Sequence, residues 1–306
     1  MPDLPRVVCI AGPTGTGKSA VALRLAAEAG GELINADSRQ VYADFPLITA
    51  QPGPEEQRRC PHHLYGFLRI AEQINAGQWG RLAAAKIAEC AARGSLPIMV
   101  GGTGLYIRAM TQGMADIPPV EPAVAQRLEA EYAQHGSQAL HARLEKADPA
   151  YAASTHARNR QRILRALGVW ESTGRTFSWW HGQERKYPRC RVLLLVLRAE
   201  LRELVPRLEQ RISAMLEAGA LDEARRALAG CADPKAPGWS GIGCAELYRH
   251  LCGELSLEQA RALWLGNTRA YAKRQLTWFR GQGDAVWMEA CDLEGMHAKM
   301  RAFLNE

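Results

Sequence analysis

The sequence predicts an α/β fold: a parallel sheet core interrupted by an all-helical domain. Three observations carry this expectation. Short apolar runs alternate with helical patterns over about the first 110 residues. Three motifs rich in glycine or polar residues each follow directly on one of those runs, where a doubly wound sheet binds its ligands. A proline-rich breaker then introduces Ala-rich, charged helical segments before a further apolar run of strand length appears.

Val7 to Ala11 reads as a strand, and Lys18 to Ala29 as the helix that follows it. Between them lies G-P-T-G-T-G-K-S, the phosphate-binding loop in its strand, turn, helix setting, which makes the core P-loop NTPase-like. Glu32 to Ala36 is a short strand, Ala71 to Arg93 a long helical pattern, and Pro97 to Val100 a strand ending in Gly101-Gly102. Asp116 to Pro122 breaks the chain, and helices are expected from Ala123 to Glu171. Arg191 to Arg198, R-V-L-L-L-V-L-R, is apolar enough to rejoin a sheet buried on both faces. From Leu201 the pattern is helical again, apart from the loop Cys231 to Gly243. The expected division is 1–115 as the first part of the core, 116–187 as the insertion and 188–306 as the second part.

A chain of 306 residues can bury about 75% of its unfolded surface. Its opening, M-P-D-L-P-R, has no apolar leader, and no apolar stretch is long enough to span a bilayer, so a cytoplasmic protein with no membrane partner is expected. Eight cysteines are scattered without a C-x-x-C pair and read as reduced thiols. Cys60, His62 and His63 invite a metal reading but lack a fourth ligand, which favours a packed loop. The net charge of +6 is mild and unevenly placed. His156 to Arg165 has four arginines and no acid, and Arg158, Arg162 and Arg165 fall on one face of a helix. Arg185 to Arg191 and Arg269 to Arg280 are also basic, the latter with Tyr271, Trp278 and Phe279 among its cations. Together these stretches point to a polynucleotide partner.

In the loop, Gly12, Pro13, Thr14, Gly15, Thr16 and Gly17 curl the backbone so that its NH groups face a polyphosphate. Lys18 neutralises charge there, and the Ser19 hydroxyl is placed to hold magnesium. Asp37 admits three readings: a metal-anchoring acid, a general base facing the phosphates, or a helix cap. Ser38, Arg39 and Gln40 follow it as donors and acceptors suited to nucleobase edges. Thr103, in G-G-T-G-L-Y, is placed to donate to a phosphate or a base, unless the turn only needs its glycines. Arg207 and Arg211, four apart on a helical pattern, are placed to clamp anionic oxygens or to form a solvated face.

These motifs, with C-P-H-H-L, Q-R-I-L-R-A-L, I-G and T-R-x-x-A-K-R-Q-L-T-W-F-R in this order and spacing, resemble the tRNA dimethylallyltransferases, or isopentenyl-tRNA transferases. The resemblance runs from Gly12 to Arg280 and rests more on the middle motifs than on the widely shared phosphate loop. It implies transfer of a dimethylallyl group from dimethylallyl diphosphate to N6 of the adenine 3′-adjacent to the anticodon, assisted by magnesium, in a monomer whose single chain holds the whole site. It further implies that Lys18, Ser19 and Arg207 stabilise the leaving diphosphate and that Asp37 accepts the proton of N6. Asp37, Ser38, Arg39, Gln40, Thr103, Gln161, Arg162, Ile163, Leu164 and Arg165 would contact tRNA, with the insertion gripping the anticodon stem-loop. The chain departs from the family pattern at Ala125, where an arginine is usual and Arg127 lies nearby, and at Asn159, Gly168 and Cys244. Two rivals use the same loop: a small-molecule kinase consuming ATP, and a nucleic-acid-binding NTPase switch. The first needs a nucleotide-base pocket and the second another acidic strand end; neither is evident.

Overall fold

The computed structural model describes residues 4–183 and 190–306. In chain order the elements are β1 (Arg6–Ala11), α1 (Lys18–Ala29), β2 (Gly31–Asn35), α2 (Pro54–Arg59), β3 (His62–His63), α3 (Ala76–Ala92), β4 (Leu96–Gly101) and α4 (Gly104–Thr111). They continue with α5 (Pro122–Ala147), α6 (Pro149–Ala153), α7 (Arg160–Thr173), α8 (Phe177–His181), β5 (Arg191–Leu197), α9 (Leu201–Glu217) and α10 (Ala220–Gly230). A 3-10 turn (Pro237–Ser240), α11 (Cys244–Leu251), α12 (Leu257–Arg280), β6 (Val286–Met288) and α13 (Leu293–Asn305) complete the chain.

Six strands form a parallel sheet in the order β3-β2-β4-β1-β5-β6. Aliphatic runs form these strands because both faces are covered: Val7 to Ala11 are all fully buried. The chain leaves β1 for β2 and β3, then returns to insert β4 beside β1. That reversal opens a crevice at the carboxyl ends of β1 and β4. The core on one side of the sheet joins Val8 and Ile10 to Leu25 of α1 and to Met296 and Met300 of α13. A second core, around Phe45, Trp239, Cys244 and Trp264, supports the segment after β2.

Two compact units are distinguished: Met1–Thr111 with Pro188–Glu306, and Gln112–Tyr187. The regular elements among the described residues of the second unit are all helices, with a core of Leu128, Leu140, Leu144, Ile163 and Leu167. Gly136, at φ 77°, kinks α5. Arg127 is held by Glu131 and Glu171, and Gly168 packs so closely on Val120 that a Cβ would lie 2.8 Å from Cγ1.

The long helical pattern from Ala71 becomes a helix only at Ala76, because Asn75 ends the extended segment before it. Asn75 Oδ1 accepts from the NH of Gln78, and Gln78 Oε1 accepts from the NH of Asn75, each at 2.9 Å. The short elements β3, β6, α2 and α4 carry too little periodicity to stand out in the sequence. All eight cysteines are free; Cys9, Cys60, Cys90 and Cys244 are buried. Among the described residues no helix is long and apolar enough to cross a membrane.

Candidate active site

The loop between β1 and α1 curls because Gly12, Gly15 and Gly17 take φ of 144°, 86° and 84°. Thr16 Oγ1 donates to the Pro13 carbonyl at 2.9 Å, and Lys18 Nζ donates to the same oxygen at 2.7 Å. Burial pushes the Lys18 ammonium down to about 8; the Asp37 charge opposes this shift and Arg211 adds to it. The ammonium therefore remains mostly charged near neutrality, yet is poorly solvated. An anion binding there meets a cation with little water to displace. Ser19 is exposed at the start of α1, and among the described residues its hydroxyl has no hydrogen-bond partner.

The loop rests on α9. Because Gly15 has no side chain, Leu204 and Leu208 pack against it; a Cβ there would lie 2.9 Å from Leu208 Cδ2. One turn further on, Arg211 Nη1 donates to Thr14 Oγ1 at 3.4 Å, and burial pushes the guanidinium pKa down. Arg211, rather than the expected Arg207, is thus the arginine that reaches the loop. Arg207 is exposed, and among the described residues no hydrogen bond or ion pair holds it. Helix periodicity explains the difference: the face that seats Leu204 and Leu208 on the loop also carries residue 211, while 207 is rotated away.

Asp37 follows β2 and is oriented by Asn35. Its NH donates to Asn35 Oδ1 at 2.8 Å, and Asn35 Nδ2 donates to the Asp37 and Leu64 carbonyls, both at 2.9 Å. Asp37 Oδ1 accepts from the Arg39 NH at 2.8 Å, and among the described residues Oδ2 has no hydrogen-bond donor. Asp37 lies close enough to act electrostatically on both Lys18 and Arg211. The carboxylate and the loop cations therefore lie near one another, on the carboxyl side of the sheet.

The neighbours of Asp37 divide into two kinds. Ser38 is tied to Thr103, which accepts from its NH at 2.9 Å and donates to its Oγ at 3.3 Å. Arg39 Nη1 donates to Ser240 Oγ at 2.7 Å, so much of the guanidinium anchors the 3-10 turn. Both amide hydrogens of Gln40 are spent on the Thr49 and Ala50 carbonyls, at 3.0 and 2.7 Å. Gln40 thus shapes the following loop, and its NH2 group is not available to a base edge as expected. The same loop is fixed from α10, where Glu223 accepts from the NH groups of Leu47 and Ile48 at 2.8 and 2.9 Å.

The end of β4 and the turn after it fit so tightly against Ala36 and α12 that side chains at 101 and 104 would clash. A Cβ on Gly101 would lie 2.2 Å from the Ala36 carbonyl carbon, and one on Gly104 would lie 2.4 Å from the Trp278 ring. Tyr271, Gln275 and Trp278 lie on one face of α12. Gln275 Nε2 donates to the Gly102 carbonyl at 2.8 Å, and Trp278 covers Gly104. Gln275 Oε1 also accepts from the Thr14 NH of the phosphate loop at 2.9 Å. Neither Gln275 nor Asn35 was singled out in the sequence. Their signal was a polar residue at an otherwise apolar position, Gln275 being 5% exposed and Asn35 0%.

In the helical unit, Gln161 and Arg162 are exposed on α7. Ile163 and Leu164 are not surface contacts: Ile163 lies fully inside the unit's core and Leu164 packs against it. Apolar side chains three and four positions after the start of a helix turn to its hydrophobic face. Arg165 is half-buried, donating to the Pro118 carbonyl at 3.2 Å, and Arg158 precedes the helix, which Asn159 caps. Arg160 pairs with Glu129. Of the basic stretch Arg185 to Arg191, residues 185–189 lie outside the described residues.

Cys60 and the two histidines do not converge on one point. His62 Nδ1 lies 2.8 Å from the Cys60 carbonyl, whereas His63 Nε2 lies 2.6 Å from Glu32 Oε2. Glu32, His63 and Cys90 have potential ligand atoms within 4.8 Å of one another. However, the same Glu32 oxygen also accepts from Arg93 Nη2 at 2.8 Å. Burial would raise this carboxyl, but hydrogen bonds from His63, Arg93, Ser95 and Cys90 outweigh it and hold the group at about 2. The cluster is a closed ion-pair network whose anion already has its donors.

The sheet, its crevice and the loop define the class of protein: an α/β protein with a P-loop-like core carrying an inserted helical unit. The chain belongs to the IPP transferase family, whose sequence model matches residues 40–282. It is 54% identical over 315 residues to the tRNA dimethylallyltransferase of Nitratidesulfovibrio vulgaris strain Miyazaki F, covering 98% of this chain and 94% of that one. It is 42% identical to the tRNA dimethylallyltransferase of Lawsonia intracellularis, covering 98% of this chain and 99% of the relative. Among solved structures, the tRNA isopentenylpyrophosphate transferase of Bacillus halodurans superposes with a TM-score of 0.70 at 33% identity, covering 98% of this chain and 97% of the other. A eukaryotic dimethylallyltransferase acting on tRNA superposes with a TM-score of 0.79 at 29% identity, covering 97% of this chain and 77% of the other.

Proposed function

We propose that the protein is a tRNA dimethylallyltransferase, moving the dimethylallyl group of dimethylallyl diphosphate to N6 of the adenine 3′-adjacent to the anticodon and releasing diphosphate. The observation that carries this reading is the pairing, in one crevice, of a cationic phosphate cradle with an unshared carboxylate oxygen. Lys18 and Arg211 belong to the first and Asp37 Oδ2 to the second. The names of the relatives support the same chemistry.

Adenine N6 is a weak nucleophile because its lone pair is delocalised into the ring, so the leaving group must be made good. As the allylic C–O bond breaks, negative charge would grow on the diphosphate beside Lys18 and Arg211, the two cations that contact the loop. The new bond forms between N6 and the allylic carbon, and Asp37 takes the N6 proton. The adenine leaves its stack to reach the carboxylate, at a cost of a few kcal/mol that is lower in a loop than in a duplex. Ser19, an exposed hydroxyl without a hydrogen-bond partner among the described residues, is the kind of hard oxygen that suits magnesium and would hold it beside the donor. When bound there, the ion supplies further charge neutralisation to the departing diphosphate. In this reading Gln161 and Arg162 meet the backbone of the anticodon stem-loop, and the protein acts as a monomer in the cytoplasm.

The test incubates the protein with magnesium, unmodified tRNA and labelled dimethylallyl diphosphate, then digests the RNA. Label is expected on one adenosine beside the anticodon. Asp37→Ala is expected to abolish transfer while retaining diphosphate binding. A wild-type protein that hydrolyses ATP and leaves tRNA unlabelled would overturn the proposal.

A further inference from the structure

The phosphate loop and the turn after β4 belong to different strands, and chemistry between them requires a fixed separation. Gln275 spans that separation. Its Oε1 accepts from the Thr14 NH at 2.9 Å and its Nε2 donates to the Gly102 carbonyl at 2.8 Å. The side chain is 5% exposed, so neither bond exchanges freely with water. From Gly102 the connection continues through Thr103, which hydrogen-bonds both the NH and the hydroxyl of Ser38, the residue after Asp37. On the loop side, Thr14 accepts from Arg211 through its hydroxyl. One amide therefore sits between the groups assigned to the leaving diphosphate and the segment carrying the carboxylate.

We infer that Gln275 is a positioning residue, setting the distance between donor cradle and acceptor segment; this rests on the transferase reading above. It touches neither substrate, so its loss acts on the rate at which bound partners react. A misplacement of about 1 Å between reacting groups costs on the order of 100-fold in rate. Gly102 completes the device, since a Cβ there would lie 2.1 Å from Gln275 Nε2 and 3.0 Å from the Gly12 carbonyl. The absence of a side chain at 102 lets the amide close on the turn.

Gln275→Met keeps the length of the side chain and removes both hydrogen bonds. It is expected to lower kcat about 10- to 100-fold, while KM for tRNA and the Kd of inorganic diphosphate with magnesium each change by less than about threefold. Gly102→Ala, which forces the amide aside, is expected to lower kcat in the same way. In a Gly102→Ala, Gln275→Ala double variant the 2.1 Å clash with the amide is gone and only the 3.0 Å approach to the Gly12 carbonyl is left, so kcat should stay within about threefold of Gln275→Ala alone. A Gln275→Met kcat within twofold of wild type would overturn the inference. So would a kcat loss matched by an equal loss of diphosphate binding, which confines the residue to holding the loop, or fully additive effects in the double variant. A wild-type protein without transfer sinks the functional reading and this inference together, whereas active wild type with insensitive variants sinks the inference alone.

Discussion

Gly101→Ala tests whether the spacing of the strand ends governs the site. The added Cβ would stand 2.2 Å from the carbonyl carbon and oxygen of Ala36 and 2.8 Å from its Cα, where ordinary contact begins near 3.4 Å. The obstacle is backbone, so no rotamer change relieves it, and the end of β4 must move about 1 Å from Ala36. Overpacking of this kind costs about 1–3 kcal/mol, and the rigid surroundings favour the upper value. Such a loss corresponds to a fall in melting temperature of roughly 5 °C for a chain of this size. Asp37 is the next residue after Ala36, so the same displacement should slow transfer on the order of 100-fold. Gly94→Ala is the control. Gly94 sits before β4, at the opposite end of that strand, with φ 73° and no atom within 4 Å of a built Cβ. It should cost only the left-handed strain of about 1–2 kcal/mol and leave transfer unchanged. The measurements are a thermal melt and single-turnover transfer at saturating donor and tRNA. If Gly101→Ala melts early yet transfers within twofold of wild type, strand-end spacing does not control the reaction.

Two further outcomes are expected. Lys18 has its pKa lowered to about 8 in the free protein, and a bound anion favours its charged form, so diphosphate binding should take up a proton above that pH. Affinity measured calorimetrically should therefore fall as pH rises through 8, by up to about tenfold per unit, and Lys18→Met should lose this slope; an unchanged wild-type affinity to pH 9.5 contradicts the Lys18 assignment. Arg211→Gln should weaken diphosphate binding about 10- to 100-fold, as loss of a charged hydrogen-bonding group does, while Arg207→Gln changes it less than about threefold. The opposite ranking would return the anion to Arg207.

Much of the site was legible because its chemistry is local. The run Gly12 to Ser19 needs only its own residues to curl and present NH groups. Asp37 was visible because an acid directly after an apolar strand stands at a sheet mouth. The choice between Arg207 and Arg211 was not legible, because both satisfy the same spacing and only the seating of Leu208 on Gly15 orients the helix. The resemblance carries Ile163 and Leu164 along as members of the motif Q-R-I-L-R, whereas helix periodicity turns them toward the core. Gln40 has the chemistry of a base reader, but the carbonyls of Thr49 and Ala50 lie close enough to claim its amide hydrogens.

The sequence by itself determined the alternation of strands and helices, the phosphate loop, the break before the helical insertion and the family. Each depends on residue type over a window of a few to a few dozen positions. The tertiary structure alone decided which polar groups share a pocket. Thr14 and Gln275 are separated by 261 positions yet meet through one amide, and Glu32, His63 and Arg93 close into one network from three elements. Such pairings depend on the sheet order, which is set by the burial of the whole core and leaves no trace in the spacing of the residues that it brings together.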